Sequence, residues 1–319
     1  MLPDRRRIGA HLPLGGGMVK AVERAKEIGA DALQVFGDNP TAWKRRHAPP
    51  AELDAFRSRI AEYGITPLAI HAAYLINLAG PDDDFYERSL DVLRHELTAG
   101  RSYGAQFVNV HTGSHRNTSV VSGIERLAHG AARVLNEVDD AQAPLLVLEN
   151  SAGGGGGIGV TVEELADIAD ALVARQVDPR RVAFCLDVAH LWAAGHRLSE
   201  PDETDRLLDD FERRIGLGRL VMIHLNDSKS ELGSRLDRHE HVGAGKIGER
   251  GMAHLLRHPL LEHVAYFIET PGMDEGYDEV NLGRARRLIA GEALDPLPPE
   301  AMNLPGSRSR AAAPQAEPV

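Results

Sequence analysis

The strongest constraint on the fold is an alternation that runs nearly the length of the chain. Eight short β-type runs occur in order: RIGAHL (7–12), ALQVF (32–36), PLAIHA (67–72), QFVNVHT (106–112), LLVLEN (145–150), VAFCLD (182–187), RLVMIHLN (219–226) and AYFIET (265–270). Between them lie stretches with apolar residues at i, i+3, i+4 spacing, among them MVKAVERAKEIG, AELDAFRSRIAEYG, GIERLAHGAARVLNEV and VEELADIADALVA. That period marks helices with one apolar face. Gly29, Gly64 and Gly100 close helical stretches in the manner of left-handed caps. Eight strand-then-helix units predict an α/β fold whose parallel sheet closes as a (β/α)8 barrel, with a doubly wound open sheet as the alternative.

A chain of 319 residues is long enough for one such barrel, which the alternation places at residues 1–290. After Ala290 the sequence GEALDPLPPEAMNLPGSRSRAAAPQAEPV is rich in Pro and Ala and has no periodicity, so 291–319 is expected to be a disordered tail. No window has the roughly 18 consecutive apolar residues of a membrane helix, and the basic start MLPDRRRIGAHL lacks an apolar core for a secretory signal. Cys185 is the only cysteine, which excludes an intramolecular disulfide. A cytoplasmic protein with no membrane partner, acting as a monomer, is expected. The net charge of −11 argues against a nucleic-acid partner only if no dications are bound, because bound metal cancels carboxylate charge locally.

Polar residues fall on this frame in one register. Six consecutive β-runs end in His, Glu or Asp after apolar residues: His71, His111, Glu149, Asp187, His224 and Glu269. In a parallel barrel those strand ends converge on one rim, where active sites sit. A single strand-end His is ordinarily a hydrogen-bonded, partly buried residue. Six ionisable groups on one rim would be expensive to desolvate unless they shared a cation. Imidazole mixed with carboxylate, and no cysteine cluster, points to zinc, manganese or iron.

The loops add to the set. DVAHLWAAGH places His190 one helical turn after Asp187, and LDRHEH places Asp237 and His239 two apart, on one side of an extended loop. His11 ends the first run and suits either a ligand or a hydrogen bond to the site. His115, His196 and His241 are expected to orient ligands or lie at the surface. His47, His95, His129, His254, His258 and His263 are expected to be solvated. The five glycines of ENSAGGGGGIG (149–159) match no phosphate-binding pattern and read as a flexible loop that admits a bulky substrate.

Taken together, HAAYLINLAG, VNVHTGSH, LLVLENSAGGG, FCLDVAHLWAAGH, IHLNDSKSELGSRLDRHEHVGAGKIG and FIETP resemble the signatures of bacterial endonuclease IV, the zinc-dependent apurinic/apyrimidinic (AP) endonuclease family, from about Ile8 to about Ile289. The resemblance implies three zinc ions. His71 and His111 would hold one; Asp187, His224 and Glu269 a second; His190, Asp237 and His239 the third. Glu149 would bridge the first two and is the expected catalytic residue. A hydroxide bridging two zinc ions would be the nucleophile, and the third zinc would stabilise the leaving 3′-oxygen.

The implied substrate is double-stranded DNA with abasic sites or blocked 3′ ends, cut 5′ to the lesion to leave a 3′-hydroxyl. Tyr74 and Leu75 match the family's inserting residues, which exploit the low unstacking cost where a base is missing. Lys229 and Arg235 are candidate phosphate contacts. The chain departs from the pattern at Thr41, where some members have an inserting arginine; Trp43 is retained, and Lys44, Arg45 and Arg46 follow. It departs again in DVAH, where many members read DTCH. A metal-dependent sugar isomerase or epimerase on the same barrel type is the alternative, and a catalytically dead DNA-binding barrel a third reading.

Overall fold

The protein, represented by a computed structural model, is described over residues 6–138, 142–273 and 275–304. Eight strands close a parallel barrel: β1 (Arg7–His11), β2 (Leu33–Phe36), β3 (Leu68–His71), β4 (Phe107–His111), β5 (Leu145–Glu149), β6 (Val182–Asp187), β7 (Leu220–Leu225) and β10 (Ala265–Ile268). Around them run α1 (Met18–Glu27), α2 (Leu53–Tyr63), α3 (Asp83–Tyr103), α4 (Val120–Glu137), α5 (Val162–Ala174), α6 (Val188–Ala194), α7 (Pro201–Arg214), α8 (Gly248–Arg257) and α9 (Tyr277–Ala290). The two-residue strands β8 (Asp227–Ser228) and β9 (His239–Glu240) form a small antiparallel ribbon above β7. The closed sheet excludes the doubly wound alternative. Helix α3 runs through Gly100 and ends instead at Gly104, which takes the left-handed cap conformation.

Strand parity divides the core in two. Alternate residues of a strand face opposite sides, so Leu146 and Leu148, or Phe184 and Leu186, pack outward against the helices. Ala32, Ala69, Val147, Ala183, Cys185, Met222, Ala265 and Phe267 form a separate cluster that fills the barrel. Four alanines there keep the bore narrow. Gly9 narrows it further, since a Cβ at that position would lie 2.0 Å from the Ala32 carbonyl oxygen.

The same parity sets the rim. Val147 leads to Glu149, Cys185 to Asp187, Met222 to His224, Ala69 to His71 and Phe267 to Glu269, each two residues on and hence on the inward side. Register then brings donors side by side: His111 is paired with Glu149 and Asp187 with His224.

The segment 291–304 departs from the expected disorder. Leu294 and Ala301 are buried, and Arg284 Nη1 donates to the Asp295 carbonyl at 2.8 Å. His241, also fully buried, has Nε2 3.0 Å from the Ala301 carbonyl and Nδ1 2.8 Å from Asn281 Nδ2. A buried imidazole and two apolar anchors hold this stretch despite its Pro-rich composition. Residues 305–319 lie outside the described residues. Among the described residues no helix is long and apolar enough to cross a membrane.

Candidate metal centre

Glu149 is the centre of the rim. It is buried, and its two oxygens face different histidines: Oε2 lies 3.6 Å from His71 Nε2 and 3.5 Å from His111 Nε2, while Oε1 lies 3.2 Å from His224 Nδ1. Donor atoms gather in three overlapping groups, His71–His111–Glu149, Glu149–Asp187–His224 and Asp187–His190–His239, each with its atoms within 4.8 Å of one another. Glu269 Oε2 approaches His224 Nδ1 at 3.6 Å. Asp237 sits between His190 Nε2 at 3.3 Å and His239 Nε2 at 3.0 Å. All nine residues singled out in the sequence are thus brought to one place.

Each of these imidazoles except His111 has its far nitrogen fixed by a named partner. A backbone carbonyl can only accept, so the Nδ1 contacts of His71 to Ala72 (2.7 Å), His190 to Asn150 (2.8 Å) and His239 to Glu269 (2.6 Å) require Nδ1–H. In the neutral ring this leaves the Nε2 lone pair turned into the cluster. His224 is reversed: Nε2–H donates to Gln34 Oε1 at 3.1 Å, and its fully buried Nδ1 has no hydrogen-bond partner. Rings held this way are what metal ligands require.

The charges point the same way. Burial pushes the Glu149 carboxyl up, but His224 and His111 beside it hold it well below the usual carboxylate range. Asp237, half exposed yet packed between two imidazoles, is likewise held low; desolvation opposes this, and His239 and His190 outweigh it. Burial lowers His239, but Asp237 and Asp187 push it up to about 10, and His190 and His224 are raised against burial by surrounding carboxylates. Without a cation, protons on imidazole balance the carboxylates. Dications bound to the freed lone pairs can take over that balance, so the donor set fits divalent metals.

Several orienting residues were not singled out in the sequence. Gln34 accepts from His224 and donates to Glu269 Oε1 at 2.7 Å. Asn109 Nδ2 donates to Glu149 Oε2 at 2.6 Å, and Asn226 Nδ2 to Asp187 Oδ2 at 2.8 Å. The signal for Gln34 and Asn109 was a polar residue inside an apolar run, two positions before the strand's last residue and on the inward parity. His11 proves to be a hydrogen-bonding partner, with Nδ1 2.8 Å from Glu269 Oε1.

Asp187 also caps α6. Its Oδ1 accepts from His190 N at 2.8 Å, which sets the helical turn that carries His190 to the rim. The loop bearing Asp237 and His239 is anchored by buried Asp227. Its Oδ1 accepts from Ser228 N (2.7 Å) and Ile247 N (2.9 Å), and its Oδ2 from Gly245 N and Gly248 N (both 3.0 Å). The pentaglycine loop serves backbone packing: a Cβ on Gly154 would lie 2.8 Å from the Arg235 carbonyl oxygen, and one on Gly157 2.1 Å from Ser151 Oγ. A Cβ on Gly156 would lie 3.0 Å from the Arg116 carbonyl oxygen, so glycine there lets three rim loops touch.

The remaining expected contacts divide. Tyr74 is 45% exposed above the rim, its ring edge-on to Phe36 and 5.5 Å from His71; Leu75 is half-buried. Arg235 is exposed. Lys229 is largely covered, with Nζ 3.6 Å from buried Glu240. Arg45 is buried against Glu96 at 3.1 Å and binds the Asn39 carbonyl, so it ties down the loop that carries exposed Thr41.

Comparison with known proteins places this geometry. The family model described as "Xylose isomerase-like TIM barrel" matches residues 22–295. The chain is 40% identical over 281 residues to a Halothermothrix orenii protein named "Probable endonuclease 4", a match that covers 87% of this chain and 99% of that protein. Among solved structures it is similar to endonuclease IV from Thermus thermophilus, with a TM-score of 0.77 and 36% identity over 89% of this chain and 99% of that one. A D-tagatose 3-epimerase-like protein matches with a TM-score of 0.64 at 15% identity, over 89% of this chain and 98% of that one, a likeness of fold alone. With a relative this similar matched almost end to end, and with the rim built from the expected donors, the chain is a nuclease-type hydrolase that belongs to the endonuclease IV family.

Proposed function

We propose that the chain is a DNA-repair enzyme that hydrolyses the phosphodiester 5′ to an abasic site, leaves a 3′-hydroxyl and also trims blocked 3′ ends. The observation that carries this reading is the convergence of nine His, Asp and Glu donors around Glu149, in a chain of this family. His71, His111 and Glu149 would hold one zinc; Glu149, Asp187, His224 and Glu269 a second; His190, Asp237 and His239 a third. When bound, zinc supplies an ionised water near neutral pH and offsets the charge of the phosphate.

The chain's own residues do the rest. Gln34, Asn109 and Asn226 hold the donors in orientation. Glu149, reached from both sides, fixes the separation of the two inner positions. Tyr74, exposed on the rim with Leu75 beside it, would occupy the gap left by a missing base. Arg235 is suited to a phosphate. Lys229, with Nζ 3.6 Å from Glu240 and part of its side chain exposed, is a second candidate phosphate contact. The enzyme acts as a cytoplasmic monomer, and its barrel domain takes in 291–304.

The test is incision of a duplex oligonucleotide carrying one abasic analogue, with and without prior treatment with a strong zinc chelator. Chelator-sensitive cutting on the 5′ side, restored by added zinc, is the expected result. No cutting by protein shown to hold its metals would overturn the reading.

A further inference from the structure

A second group of donors lies outside the barrel and shares no residue with the rim. Asp205 projects from α7, His254 from α8, and His258 from the C-terminal cap of α8. Both histidines aim Nε2 at one oxygen: His254 Nε2 is 2.5 Å and His258 Nε2 3.3 Å from Asp205 Oδ1. The three donor atoms all fall within 4.8 Å of one another. Zinc donors about 2.0–2.1 Å from the ion sit roughly 3.3–3.5 Å apart, so small side-chain shifts bring this group to that spacing.

His254 and His258 are four apart, which stacks them on one face of the helix turn; their ring centroids are 5.5 Å apart at 78°. Solvation, the reading given by sequence position alone, does not describe them. The His258 side chain is only 10% exposed, and its Nδ1 is buried without a hydrogen-bond partner.

We propose that Asp205, His254 and His258 form a peripheral site for a divalent transition metal such as Zn2+, which clips α7 to α8. The site is independent of the rim and of the reaction assigned there. Two imidazoles and one carboxylate with open positions are a donor set that zinc accepts, and the anchoring of both helices to the barrel preorganises it.

Equilibrium dialysis of the full chain against micromolar free Zn2+, followed by metal counting, tests this. The His254→Gln/His258→Gln double variant is expected to hold one zinc fewer per chain than wild type. It should also lose part of the zinc-induced rise in Tm while incising abasic DNA at the wild-type rate. Equal zinc occupancy in the two proteins would overturn the proposal. If the double variant fails to fold, Asp205→Asn, which keeps an oxygen facing both imidazoles, gives the same comparison through a weakened site, expected to bind at least tenfold less tightly; unchanged affinity there would overturn it equally. Loss of incision in wild type with the extra zinc retained would count against the rim reading alone.

Discussion

Gln34 and His224 come from strands that do not touch, β2 and β7, yet Gln34 Oε1 lies 3.1 Å from His224 Nε2 across the bore of the barrel. That contact turns His224 Nδ1 toward Glu149, and the Gln34 amide nitrogen reaches Glu269 as well. Removing partners of this kind typically costs 10–100-fold in metal affinity. Gln34→Leu is therefore expected to weaken retention of the most loosely held rim zinc by about that factor, read by titration with a competing chelator. Unchanged retention would mean that packing alone orients His224.

Glu149→Ala should abolish incision while abasic DNA still binds. The substitution removes both oxygens that join the two inner histidine sets, but it leaves Tyr74 and Arg235 in place. Single-turnover cleavage and a binding titration on the same duplex separate the two effects; retained cleavage would refute the bridging role.

Asp227→Ala leaves four backbone N–H groups of the 227–248 loop without their acceptor. Even at about 1 kcal/mol each the loss is several kcal/mol. The expected outcome is a lower Tm with a selective loss of the metal held by Asp237 and His239, seen as one zinc fewer per chain. Full zinc content in a folded variant would show that the loop holds its shape without this anchor.

Removing residues 291–319 should destabilise the protein relative to a chain ending at Leu304. Leu294 and Ala301 lose their burial, and His241 loses the Ala301 carbonyl as acceptor. Burial of one leucine and one satisfied imidazole is worth roughly 2–4 kcal/mol, which thermal melting resolves. Equal melting temperatures would mean that 291–304 contributes nothing.

Glu96 gives a pH dependence. Burial raises its carboxyl from the ordinary 4.5 to about 7, against the pull of Arg45. The folded state therefore binds this proton more tightly than the unfolded state does. Its contribution is complete below about 4.5 and is lost as pH rises towards 7, a span worth about 3 kcal/mol. Glu96→Gln should remove that slope, so the stability of wild type minus variant should fall between pH 5 and pH 7 in urea melts. A flat difference would show that Arg45 keeps Glu96 ionised throughout.

Much of the site is legible in the order of residues along the chain. A strand places alternate side chains on one side, and parallel strands of a barrel end on one rim. An apolar run that ends in His, Glu or Asp therefore already tells where that residue points, and His71, His111, Glu149, Asp187, His224 and Glu269 can all be read this way. The sequence by itself also determined that Asp187 and His190 act together, because a cap and the third residue of its helix are a local relationship. What only the tertiary structure decided were contacts between residues far apart in the chain: Gln34 with His224, Arg45 with Glu96, His241 with Ala301, and Asp205 with the histidines of α8. Such contacts depend on which strands and helices become neighbours and on the width of the bore, and no local period encodes either. Composition misjudged 291–304 for the same reason. Its order comes from a buried surface supplied by the rest of the barrel, not from any propensity of its own.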